Sequence, residues 1–201
     1  MALQTISLYG TDQTVFGKSY SEWILDWWKW FYDAEEETEH QNESWKNDSY
    51  DVRFLTTVHN FEPDMYTKSH VIQDQAILLS VAKWISLGLP FQKDIDLMKA
   101  ATERINTLET MRVEVDGQKI KPQRLATDIF NLELKREVHN PKTDYCRIET
   151  LRKGKYKAIG DGYWLFIKPN QFDKGIHTID TFCSCASNIV RVNVHHTLNI
   201  I

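Results

Sequence analysis

The sequence predicts a mainly β protein, an antiparallel β-sandwich of jelly-roll or Greek-key type with two helical insertions. Three observations predict it. Short alternating apolar and polar runs recur along the chain and are cleanest over residues 189–200. Only two segments, about 20–33 and 94–108, carry a helical repeat. An Asp116-Gly117 pair separates two alternating runs, which is the strongest short-range hairpin signal. With 201 residues the chain is read as one domain, with both helices packed on the sandwich.

In chain order, residues 3–9 alternate as a short strand. Ser19-Tyr20-Ser21-Glu22 then has capping-box spacing and opens the first helix. Tyr20, Trp23, Ile24, Trp27, Trp30 and Phe31 share one face of it, and Glu22, Asp26, Lys29 and Asp33 the other. Leu25, Trp28 and Tyr32 widen the apolar arc beyond what docking on a core requires. The excess predicts either a second cover within the chain or a homo-oligomer or partner contact through Leu25, Trp28 and Tyr32.

Residues 33–48 are strongly acidic, and such runs become solvated loop. Residues 52–58 and a segment within 71–81 read as strands, the second apolar enough to be buried on both faces. In the second helix Met98, Ala101, Ile105 and Leu108 repeat at helical spacing, with Ile95 and Leu97 broadening the face. Residues 129–134 alternate as a further strand. A basic stretch at 142–157 can answer the acidic one. Residues 163–167 and 176–182 are expected to pair antiparallel, with 189–200 beside them. In that last strand Val190, Val192, Val194, His196, Leu198 and Ile200 face one way, and Arg191, Asn193, His195, Thr197 and Asn199 the other.

Three ordered segments carry a resemblance. They are Tyr9-Gly10 with Gly17–Trp23 leading into Trp27-Trp28-Lys29-Trp30, then Val113–Gly117, then Asp161–Phe166 with Pro169 and Gly175–Ile179. Together they resemble an uncharacterised family of microbial β-sandwich proteins, whose members pair a "YGxSYxEWxxxWWxW" helix with a "DGYWLFLxPLxPGxHTI" hairpin. The resemblance implies a fold and no particular activity. Many relatives begin with an export signal. Here no basic residue precedes Lys18 and polar residues interrupt the first apolar run, so the expectation is a soluble, cytoplasmic chain without a membrane span.

The chemistry is sparse. A net charge of −4 argues against nucleic-acid binding through bulk positive charge. Residues 12–19 end like a phosphate loop, but Asp12 stands where the first glycine belongs and would repel a phosphate. Three cysteines do not build a disulfide framework and agree with a reducing compartment. Cys146, Cys183 and Cys185 with His177 are the weak candidates for a zinc site; two reduced thiols at a loop is the reading preferred. Neighbours on a strand point to opposite faces, so His195-His196 is one surface and one core histidine. The acids of 33–48 lack calcium-loop spacing.

The seven Trp, eight Tyr and nine Phe are the unusual feature. Trp23, Trp27 and Trp30 read as core, whereas Trp28, Trp45 and Trp84 are open to surface roles. The reading preferred is a non-catalytic binding or structural module without a cofactor, whose partner is a small ligand, a glycan or a protein. Trp164, His177 and Asp161 are its candidate ligand contacts. The alternative is a hydrolase or metal-dependent enzyme built around Asp161, His177 and Cys183.

Overall fold

The computed structural model describes residues 5–33, 51–56, 64–89, 91–135, 137–142, 147–185 and 190–201. They form β1 (Thr14–Val15), β2 (Lys18–Ser19), α1 (Tyr20–Asp33), β3 (Val52–Thr56), β4 (Asp64–Val71), β5 (Ala76–Gly88) and α2 (Asp94–Ile105). The chain continues through β6 (Leu108–Val115), β7 (Gln118–Lys119), β8 (Gln123–Ala126), β9 (Phe130–Leu134), β10 (Val138–Lys142) and β11 (Arg147–Leu151). It ends with β12 (Gly154–Ile167), β13 (Gly175–Cys185) and β14 (Val190–Ile200). Most of the acidic stretch with Trp45, and Cys146 in the basic one, lie outside the described residues.

The protein is mainly β, with two principal sheets. The first has the order β3-β5-β12-β8, with β9 also on β12; the second runs β4-β14-β13-β6-β7. Alternation decides the layers. Along β12, Ala158, Trp164 and Phe166 join the tryptophans of α1, whereas Tyr163, Leu165 and Ile167 join Ile179, Leu198 and Ile200 of the second sheet. The first sheet is therefore packed on both faces, which is why β5 reads as an almost unbroken apolar run. A bulge at Val81 separates the Tyr163–Ala82 and Trp164–Ser80 pairs.

The first helix begins where the capping box places it. The Ser19 amide donates to Glu22 Oε2 at 2.7 Å and the Glu22 amide to Ser19 Oγ at 3.3 Å. The Ser19 amide, and the Ser19 hydroxyl that also donates to Oε2 at 2.8 Å, hold the Glu22 carboxyl below its ordinary range. Lys18, the would-be phosphate lysine, pairs with Asp26 at 2.6 Å. The Asp116-Gly117 turn has positive φ at both positions, 48° and 76°, and joins β6 to β7 as a tight hairpin.

Several expectations change. The sheets are not wholly antiparallel, because β3 runs parallel to β5 and β4 parallel to β14. Periodicity fixes a strand's faces but not its direction. Residues 163–167 and 176–182 do not pair: β12 lies in the first sheet and β13 in the second, between β14 and β6. Residues 5–9 contribute one bridge, Leu8 to Ile167, instead of a strand. The second helix ends at Ile105 and buries Leu97, Ala101 and Ile105, while Ile95 and Met98 stay exposed. Leu108 already belongs to β6.

Trp28 is not at the surface. It and Tyr32 are buried within the chain, and only Leu25 of the proposed contact stays partly open. The cover comes from β12, where Gly160 has no side chain. A Cβ there would lie 2.3 Å from Trp28 Nε1, so the indole rests on bare backbone.

Candidate functional site

The two helices pack on the first sheet, one on each face, α1 through its tryptophans and α2 through Ile159 and Trp84. Among the described residues no helix covers the outer face of the second sheet. Strand alternation presents the polar set of β14 there, and the register aligns it with side chains from three neighbouring strands.

One row across this face is Tyr66, His195, Asp180 and Glu114, from β4, β14, β13 and β6. The Tyr66 ring stacks on the His195 imidazole at 4.8 Å and 15°, yet Tyr66 remains 70% exposed. His195 Nδ1 lies 2.5 Å from Asp180 Oδ1, and Nε2 lies 3.0 Å from Asn193 Nδ2. A neutral ring with its proton on Nδ1 satisfies both contacts, donating to the carboxylate and accepting from the amide. The same Asn193 amide donates to Asp64 at 2.9 Å. The adjacent row places Phe182 between Arg112 and Arg191, whose guanidinium carbons lie 5.8 and 5.9 Å from the ring centroid. On the other side Asn199 meets His70 at 3.1 Å. The result is a flat, half-exposed field of planar groups and hydrogen-bonding side chains.

At the turn end of the same sheet lies a cleft of about 170 Å³, lined by Ile6, Val115, Asp116, Gln118, Gln171, Asp173 and His177. His177 Nδ1 contacts Asp116 Oδ2 at 2.6 Å and Nε2 contacts the Asp173 carbonyl at 2.9 Å. Asp116 Oδ1 also accepts the Thr178 amide at 2.8 Å, so the histidine braces the hairpin turn against the start of β13.

The structure disperses the other residues singled out from sequence. Trp164 is fully buried, 5.2 Å from Trp27 and 6.3 Å from Trp28 between ring centroids. Asp161 is buried and held in a two-pronged pair by Arg124, at 3.2 Å to Nε and 2.7 Å to Nη2; the same guanidinium reaches Asn106 at 2.7 Å. The Asp161 contact raises the Arg124 pKa and ties β8 to β12. Cys183 points between the sheets, its thiol donating to the Val81 carbonyl at 3.6 Å. Burial pushes that thiol up to about 12 and raises Cys185 as well, so neither is a ready thiolate ligand or nucleophile. His177 and Cys183 are six positions apart on β13, roughly 20 Å at strand rise. Asp161, His177 and Cys183 therefore share no site. Among the described residues no group of three or more His, Cys, Asp or Glu is placed to hold a metal ion, and no helix is long and apolar enough to cross a membrane.

The comparisons add no relative: no protein-family model, no curated protein and no solved structure matches the chain. The sequence placed the β14 residues of the open face on one side but missed Tyr66 and Asp180. Alternation within β4 and β13 was the available signal. It lacked the parallel β4–β14 register that brings the rows together.

Proposed function

We propose that the protein is a non-catalytic binding module that holds a neutral, hydroxyl-rich ligand of glycan class on the open face of the second sheet. The two facing sheets suit a β-sandwich scaffold for such a module. The observation that carries the reading is the Tyr66–His195–Asp180 row: an exposed ring braced by an imidazole that a carboxylate and an amide fix in place. Braced aromatic planes favour stacking on the C–H faces of sugar rings, and the surrounding Asp64, Asp180, Asn193 and Asn199 offer hydrogen bonds to hydroxyls. Acidic and basic groups alternate across the face, which favours an uncharged ligand over a polyanion. Against a hydrolytic role, both nitrogens of His195 are engaged by neighbours on the sheet.

A glycan array followed by titration of the best ligand tests it. Tyr66→Ala and Asp180→Asn are each expected to weaken binding roughly tenfold, about 1.4 kcal/mol, while thermal stability stays near wild type. An array on which the wild type binds nothing, or a Tyr66→Ala protein that binds as well as the parent, overturns the reading.

A further inference from the structure

Lys83 is a half-buried amine on the face of the first sheet that carries α1. Its Nζ lies 5.1 Å from the centroid of Trp27 and 4.9 Å from that of Phe31. Its hydrogen-bond partner is neutral: it donates to Thr56 Oγ1 at 2.9 Å. Among the described residues no carboxylate forms an ion pair with it. Directly across the strand pair sits Gly162. The point where a Gly162 Cβ would lie is 3.2 Å from both the Lys83 Cα and Trp164 Nε1. That indole N–H is buried and has no hydrogen-bond partner. A lysine and a hydroxyl thus meet against aromatic walls, with the Trp164 indole beside the same strand pair, where β5 outruns the end of β3 at Thr56.

We propose that Lys83 is a nucleophilic amine that forms an imine with small aromatic or short-chain aldehydes. The neutral Nζ lone pair adds to the carbonyl carbon, forming the C–N bond as the π pair moves to oxygen. The nitrogen gives up its two protons and the oxygen takes up two, and the departure of that oxygen as water leaves the C=N bond. No oxidant or reductant takes part. Thr56 accepts from Nζ and keeps its own hydroxyl proton to donate toward the developing alkoxide. The ring faces attract the charged ammonium and oppose this chemistry. Desolvation by burial acts the other way and brings the Lys83 pKa down to about 7, with Cys183 pulling it up. About half of the amine is then uncharged at neutral pH, and each unit of depression raises the neutral fraction about tenfold over an ordinary lysine.

The test is competitive labelling of the intact wild-type chain with benzaldehyde and borohydride, read by peptide mass spectrometry. At pH 7 Lys83 is expected to label more than roughly tenfold faster than Lys99, whose side chain is 71% exposed, with a rate that levels off above about pH 8. In urea the preference should vanish, because it belongs to the fold. A Thr56→Val protein should label more slowly at Lys83 with an unchanged Lys99 rate. Labelling of Lys83 no faster than Lys99 in the folded protein, or a preference that survives in urea, overturns the proposal.

Discussion

His196 shows how one side chain sets a pH limit on the fold. It is 2% exposed, its Nδ1 meets Thr67 Oγ1 at 2.6 Å, and its Nε2 is buried with no hydrogen-bond partner. Desolvation brings its pKa down from 6.5 to about 4, with Asp180 pulling weakly the other way. Between those values the unfolded chain binds the proton and the folded chain does not, so stability falls as pH drops from 6.5 to about 4 and is level below. The shift corresponds to about 3 kcal/mol. Urea unfolding at a series of pH values should show the wild type losing about that much relative to His196→Leu on acidification. Parallel pH profiles for the two proteins would rule the assignment out. The sequence did separate His195 from His196, because strand neighbours must diverge. It said nothing of Asp180 or Thr67, since contacts across strands carry no local signature.

At the scale of an element, α1 is the clearest case of a signal read correctly with its cause left open between cover within the chain and a partner. Its apolar arc is broader than one face needs, and the structure covers the excess with backbone. Trp28 and Tyr32 stack at 6.2 Å while the Trp28 indole lies on Gly160. Nothing in the helix's own sequence reveals that a glycine 132 positions later, in β12, would make room, so a partner chain was equally apt. Removing the ring should cost roughly 3–5 kcal/mol, as for other buried aromatics cut to alanine. Gly160→Val drives a side chain into the indole and should cost a further 1–3 kcal/mol of overpacking on its own. The two should not add: with Trp28→Ala the valine fills the space left behind, and the double variant should be more stable than the sum of the single losses. Denaturant titrations of the four proteins decide it, since strict additivity would mean that Trp28 and Gly160 do not touch. By the same logic Trp28→Glu should unfold the chain rather than dissociate an oligomer.

For the whole molecule, alternation in β14 separates what holds the sheets together from what faces solvent. Leu198 is fully buried in the layer shared by both sheets, with Ile77, Leu165 and Ile179 in the same cluster. Thr197, one position earlier, lies half-buried on the opposite face in register with Thr178 and Lys68. That phase was legible in the sequence, because a two-residue period over eleven positions leaves little room for a slip. The partners of β14 were less so: β13 was foreseen, but β4 runs parallel from 129 positions away along the chain, as the Asn193–Asp64 bond spans. Leu198→Asp would place an unpaired charge between the sheets. Its cost of several kcal/mol is a large part of a total of about 5–15, so the chain should lose its cooperative thermal transition. Thr197→Asp adds the same charge to the open face, next to solvent and Lys68, and should shift the midpoint by no more than a few degrees. If the Tyr66 row binds a hydroxylated ligand, the second variant should still fold and bind, while the first should do neither. Equal damage from the two substitutions would show that both faces of β14 are core, and the open face would then be no surface for a ligand.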